Sequence, residues 1–373
     1  MLTLELSGLD ELFTELTHRG YDLYGPTVQD KAVVIDKISS VKDLPAGWTD
    51  RQEAGAYVLE RRSDSALFGY VTGPVSWKKF LYPPRTRLLS LKRAGRGFAV
   101  AGTQATTRPK PLAFIGVRAC ELRALALLDR IFLEGPYADP EYAARRSTAC
   151  VIAVDCMSPG GTCFCASMGT GPTPREGFDI GLTEICEDGR HFFVARHGSE
   201  RGEEILSHIQ GSSVSTDELK AVEVQQNASV AAMQRDVNLS HVSAVLPQMF
   251  EHQAWDDIAR RCLACTNCTM VCPTCFCSTV EDTTDLGGST AERWRTWDSC
   301  FVLGYSKVAG GNTRPSTKAR YRQWVMHKFS YWIEQFGSPG CVGCGRCITW
   351  CPVGIDITSF LESLCGEQEN TPH

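Results

Sequence analysis

Two stretches near the C-terminus, CLACTNCTMVCP (Cys262, Cys265, Cys268, Cys272, Pro273) and CVGCGRCITWCP (Cys341, Cys344, Cys347, Cys351, Pro352), repeat one spacing, C-x2-C-x2-C-x3-C-P. Three thiolates at steps of three let one tight loop wrap a single cube of iron and sulfide, while the fourth, set four residues on, points at the neighbouring cube. Cys262, Cys265, Cys268 and Cys351 are therefore expected to hold one 4Fe-4S cluster, and Cys341, Cys344, Cys347 and Cys272 the other. Paired C-x2-C units also build closed zinc sites. Four cysteines and a trailing proline, written twice, instead match the iron-sulfur run at every ligand position. Disulfides are the weakest alternative, because MLTLELSGLDELFTEL lacks a basic n-region followed by an apolar h-region and nothing indicates export to an oxidising compartment.

Composition fits a cytoplasmic chain with room for two or three domains: 373 residues, 43% hydrophobic, net charge -5, and no apolar stretch long enough to cross a bilayer. Eighteen cysteines exceed what packing needs in a reduced protein, and their clustering marks them as ligands. The acidic excess argues against nucleic acid as a main partner.

The first part of the chain reads as α/β. Apolar runs rich in β-formers recur at Ala32–Ile38, Ala56–Glu60, Ala66–Thr72, Gly97–Ala101, Leu112–Val117 and Cys150–Asp155. The stretch Cys120–Leu133 has helical spacing and follows the Leu112–Val117 strand directly, forming a strand-loop-helix unit. Asp179–Ile185 and His191–Ala195 suggest an antiparallel pair turning at Glu187–Arg190.

From Thr216 the sequence turns helical, without glycine or proline for a long stretch. This places a border between an α/β domain, 1–215, and an all-α domain, 216–373. A helix is expected over Trp255–Cys265, delivering the first cysteines. The 68 residues from 273 to 340 that separate the two cysteine runs suggest helices that carry the runs apart and return them. This arrangement resembles the helical ferredoxin domains of respiratory reductases. Between 292 and 328 the insert is basic: Arg293, Arg295, Lys307, Arg314, Lys318, Arg320, Arg322 and Lys328 stand against Glu292 and Asp298. Such a run is usually a solvated face; the alternative is a docking surface, or a field offsetting the negative charge of thiolate-bound clusters.

A second group of cysteines lies in GVRACELRAL and VDCMSPGGTCFCASMGTGP. Cys120 follows a predicted strand at a helix start; Cys156 ends another strand, with Cys163 and Cys165 close behind. Carboxyl ends of parallel strands are where α/β folds build ligand sites, and a helix N-terminus favours a thiolate. These four are candidates for a third cluster, against the alternative of buried, unligated thiols, with Cys150 and Cys186 as nearby competitors. The tetrapeptide TCFC occurs twice, at 162–165 and 274–277, and Cys275, Cys277 and Cys300 are surplus to two cubes.

Taken together, GVRACEL, GGTCFCASMGTGP, RCLACTNCTMVCPTCFC, WDSC and CVGCGRCITWCPVGID resemble the iron-sulfur beta subunit of soluble NAD(P)-linked nickel-iron hydrogenases of the sulfhydrogenase type. They equally resemble the iron-sulfur electron-transfer subunit of anaerobic sulfite reductase. The match spans about residues 116–356, and residues 1–110 contribute little to it. The resemblance implies a relay of electrons between a flavin subunit that handles NAD(P)H and a separate catalytic subunit, nickel-iron in one family and siroheme in the other.

What the chain lacks agrees with a relay without a catalytic site of its own. There is no G-x-G-x-x-G after a strand, no G-x4-G-K-[ST] and no H-E-x-x-H. The histidines, at 18, 191, 197, 208, 241, 252, 327 and 373, show no metal spacing and read as surface or satisfied residues.

Overall fold

Eight strands form one sheet in the order Ser212–Ser213, Leu2–Glu5, Arg190–His197, Ile180–Glu187, Cys150–Val154, Leu112–Val117, Asp22–Gln29 and Ala32–Lys37. Four central strands, Asp22–Gln29, Leu112–Val117, Cys150–Val154 and Ile180–Glu187, run parallel. Parallel pairing requires crossovers that cover both faces, which is why Cys150, Ile152, Ala153 and Val154 have no exposed surface. One crossover is the Ala119–Phe132 helix, which buries Leu122, Leu125, Leu127 and Leu128. It leaves Cys120 at its first turn, beside the end of the Cys150–Val154 strand. The computed structural model describes residues 1–102, 110–187 and 189–366. Asp188, in the expected turn, and His373 lie outside them.

The expected hairpin is present, with Ile180 opposite His197 and Glu187 opposite Arg190. Ala66–Thr72 is not a strand. Its backbone is instead met by side chains: the Glu184 carboxylate accepts from the N–H groups of Leu67 (2.6 Å) and Phe68 (2.8 Å), and Asp50 from Val71 (2.5 Å). Arg118 donates to the carbonyls of Phe68 (2.5 Å) and Tyr70 (3.0 Å). Apolar composition records that this segment is buried, and burial alone does not require a sheet ladder.

Burial pushes the Asp50 carboxyl up to about 6. A carboxyl whose folded pKa is raised contributes its stability below the unfolded pKa and loses it as pH rises through the folded value. Asp50→Asn is therefore expected to stabilise the protein by about 1–2 kcal/mol at pH 7, roughly half the full linkage of the shift. The gain should vanish near pH 4, as read by chemical denaturation at the two pH values.

The C-terminal part is not all-α. Ser278–Thr284 and Thr290–Trp297 form a hairpin whose second strand pairs with Arg85–Ala94, which in turn pairs with Gly97–Gly102. Arg85 and Arg87 lie over the Trp294 ring, at 4.2 and 5.9 Å from its centre, and Arg293 bonds Asp282 across the hairpin at 2.7 Å. The insert thus reaches back to the first hundred residues through strands, where helices were expected. Segments on either side of residue 216 share further structure. The Thr216–Ala231 helix lies on the large sheet, with Ser229 donating to the Cys156 carbonyl and Gln226 to Asp155 at 2.7 Å. A second core joins Phe164 and Met168 to Trp255, Phe301, Trp324, Phe329 and Phe360.

The basic stretch does not make one surface. Arg293 pairs with Asp282, Arg295 with Asp139, and Lys318 with Asp256, while Arg320 donates into the core to the Phe301 carbonyl. Lys328, by contrast, is buried among cysteines. Among the described residues no helix is long and apolar enough to cross a membrane.

Candidate metal centres

Each cysteine run folds as a loop closed by two left-handed residues and one short helix. In the first these are Ala264 (φ 52°), Thr266 (φ 71°) and Asn267–Met270; in the second, Gly343 (φ 64°), Gly345 (φ 71°) and Arg346–Thr349. The helix before the first run ends at Arg261, short of the expected Cys265, because the loop leaves helical geometry at once. Backbone N–H groups at matching places face sulfur: Ala264 lies 3.4 Å from Cys262 Sγ, and Gly343 lies 3.5 Å from Cys341 Sγ. Two loops of different sequence therefore present thiols in the same way.

Cys262, Cys265, Cys268 and Cys351 line one cavity, walled by Phe301, Tyr321 and Trp324. Cys272, the last cysteine of the first run, neighbours Cys341, Cys344 and Cys347 of the second, each of which feels its charge. Both expected sets come together, with the fourth cysteine of each run crossing to the other. Burial pushes the thiols of Cys262, Cys268, Cys344 and Cys347 up, and that of Cys341 to about 12. Left free they would stay protonated; iron binding releases those protons. Among the described residues, one group, Glu184, Cys186 and His191, has three ligand atoms within 4.8 Å of one another. Its carboxylate is already committed to Leu67, Phe68 and His191. The two cysteine sets are wider than that, whereas a zinc site with metal–sulfur bonds of about 2.3 Å needs sulfurs closer together. The donor set and its spacing fit a polynuclear cluster.

Two buried lysines serve Cys272 and its surroundings: Lys328, a member of the basic stretch, and Lys78, which the sequence did not single out. Lys328 Nζ lies 3.3 Å from Cys272 Sγ and donates to Thr274 (2.9 Å) and to the Gly340 carbonyl (3.2 Å). Burial works against its charge, but its interactions with the sulfurs of Cys272, Cys275 and Cys341 outweigh it and hold the pKa well above the usual lysine value. Lys78 donates to the carbonyls of Cys272 (3.0 Å) and Cys275 (2.8 Å). Cys272 itself is held far below the usual thiol range, first by a hydrogen bond from Cys275 and then by Lys328.

Cys120, Cys156, Cys163 and Cys165 also converge, around a cavity that Arg118, Arg346 and Cys344 complete. Cys150 and Cys186 are elsewhere, beside Asp179 and Glu184. Arg346 forms a buried ion pair with Glu121 and donates to Thr72 at 2.8 Å, so a fixed positive charge stands at the cavity wall. The Thr162–Cys165 loop is docked directly on the second run: Phe164 N–H donates to the Gly343 carbonyl at 2.8 Å, and Cys163 Sγ lies 3.9 Å from the Cys344 carbonyl. Arg118 sits two residues before Cys120 and Arg346 directly before Cys347, a proximity that could have marked them; Lys78 lies far from any cysteine in sequence and carried no such signal.

Residues 261–355 match the family model of the 4Fe-4S dicluster domain. No solved structure matches the chain. Over 357 residues, 95% of this chain and 95% of its relative, the sequence is 30% identical to sulfhydrogenase 2 subunit beta of Pyrococcus furiosus. With identity running the whole length and the dicluster signature at the expected place, the chain belongs to the family of sulfhydrogenase beta subunits, iron-sulfur electron-transfer components of an oxidoreductase complex.

Proposed function

We propose that this chain takes electrons from a flavin subunit that oxidises NAD(P)H and passes them to a nickel-iron catalytic subunit. Its three cysteine sets act as consecutive stations. In this reading Cys262, Cys265, Cys268 and Cys351 hold one 4Fe-4S cluster, and Cys341, Cys344, Cys347 and Cys272 a second. Cys120, Cys156, Cys163 and Cys165 hold a third. Residues 1–215 supply that third station, and 216–373 supply the two of the dicluster unit. When bound, such clusters exchange one electron at a time at potentials set by charge, hydrogen bonds and exposure.

The observation that carries this reading is contiguity. Cys344 lines the cavity of the Cys120 set, and Cys347 lines the cavity of the Cys262 set. The second run is therefore a shared wall between its two neighbours. At one end of the series Cys265 is exposed and Leu263 is 64% exposed, so that loop is available to a partner. Arg118, Arg346 and Lys328 supply positive charge around the inner stations, favouring thiolate and added negative charge there.

The isolated chain is expected not to oxidise NADH or NADPH, whereas the assembled complex passes their electrons to an artificial acceptor. Nicotinamide oxidation by the chain alone would refute the reading, and co-purification with a siroheme protein would assign the relay to sulfite reduction instead. For the third station, Cys163→Ser is expected to lower the iron content of the full chain by about four; an unchanged content would remove that station.

A further inference from the structure

Three cysteines remain outside the sets above, and the fold gathers them. Cys275 and Cys277 follow the first run, and Cys300 comes from the segment after the Thr290–Trp297 strand. All three line one cavity of about 270 Å³, much roomier than the 30 and 20 Å³ left among the Cys262 and Cys120 sets. Cys277 and Cys300 are in hydrogen-bond contact, and Tyr305 donates to Cys277.

Several further lining residues carry N–H groups. Lys328 adds positive charge, with its N–H groups directed to Cys272, Thr274 and Gly340. Arg314 Nε and Trp324 Nε1 are buried with no hydrogen-bond partner; both residues line this cavity, Trp324 standing between it and that of the Cys262 set, and Trp324 is 4% exposed. A buried donor left without an acceptor is costly, so two beside the cysteine cavity point to an acceptor that belongs there. His327 adds a third donor. Its Nε2 accepts from Trp332 Nε1–H at 2.9 Å, and burial keeps the ring neutral, with a pKa of about 4. Its proton therefore resides on Nδ1, which can donate and cannot ligate a metal while it does.

Thiols with surrounding N–H donors are what a cluster with sulfide acceptors requires. A single ion is the wrong size: these three sulfurs are not within 4.8 Å of one another, since Glu184, Cys186 and His191 are the one described group that tight. We propose that Cys275, Cys277 and Cys300 hold a further four-iron cluster, one iron of which has a non-protein ligand, in the cavity between Lys328, Arg314 and Trp324. Three iron–sulfur bonds form and three thiol protons leave, with no change in the oxidation state of the protein. The site goes beyond the three-station reading and does not depend on the Cys120 set.

Anaerobically purified full chain tests it by difference. Cys300→Ser and, separately, Cys277→Ser should each lose about four irons and four sulfides relative to wild type. The paramagnetic signals of the two dicluster cubes and the far-UV dichroism should be retained, which separates loss of this site from misfolding or failure of the relay reading. Iron content unchanged in both variants would overturn the proposal. So would one zinc per chain released by both substitutions, or a Cys277–Cys300 disulfide in the anaerobic wild type.

Discussion

Cys272→Ala is expected to abolish the paramagnetic signal of the centre on Cys341, Cys344 and Cys347 while leaving the centre on Cys262, Cys265 and Cys268 in place. The substituted residue belongs in sequence to the run whose cluster survives. The expectation follows from the crossing of fourth cysteines between runs and from the position of Cys272 beside the three cysteines of the second. A second consequence concerns Lys328, whose ammonium is 3.3 Å from Cys272 Sγ and 4% exposed. Removing one partner of a buried charge pair costs about 3–5 kcal/mol, because the other charge is left uncompensated. Lys328→Met should recover part of that loss in the double variant, as a thermodynamic cycle would measure. Loss confined to the Cys262 set would show instead that each run closes on itself.

Gly343→Ala should cost about 3 kcal/mol in anaerobic chemical denaturation, the sum of a left-handed penalty of about 1–2 and overpacking of about 1–3. A Cβ at Gly343 would lie 2.6 Å from the Phe164 carbonyl oxygen, with φ at +64°. The neighbour is backbone of the Thr162–Cys165 loop and cannot rotate away, so both the second run and the Cys120 set should suffer. The matched position in the first run, Ala264 at φ 52°, already carries a side chain. Ala264→Gly should change stability by less than about 1 kcal/mol, since relief of strain is offset by the greater freedom of glycine in the unfolded chain. Equal effects at the two sites would contradict the docking of the Cys163 loop on the second run.

This contrast marks how far the sequence could be read. Spacing alone encodes which cysteines share a loop, so the two runs were legible to the residue, and the strand ends at Val117 and Val154 brought Cys120 and Cys156 to one edge of the sheet. Pairing between distant segments leaves no local trace. The Ser278–Thr284 and Thr290–Trp297 strands are largely exposed or half-buried and lack the alternating apolar face that marks a strand, and their partner lies some two hundred residues earlier. The DLGG turn between them was the available signal. Ala66–Thr72 failed in the opposite sense: apolar composition was present, but Glu184, Asp50 and Arg118 satisfy its backbone from outside any sheet. The Cys275, Cys277 and Cys300 cavity was hidden for a similar reason, since Cys300 is brought there by the hairpin that spacing does not encode.

The central claim, that this chain is an electron carrier built on iron-sulfur clusters, is tested most directly by anaerobic purification of the full chain with metal and acid-labile sulfide analysis, followed by paramagnetic resonance after reduction. The account predicts at least about eight irons with matching sulfide, the content of the two dicluster cubes, and reduced-state signals broadened by coupling between neighbouring cubes. Stoichiometric zinc with no iron and no sulfide, in a folded chain that dithionite leaves without a paramagnetic signal, would contradict it.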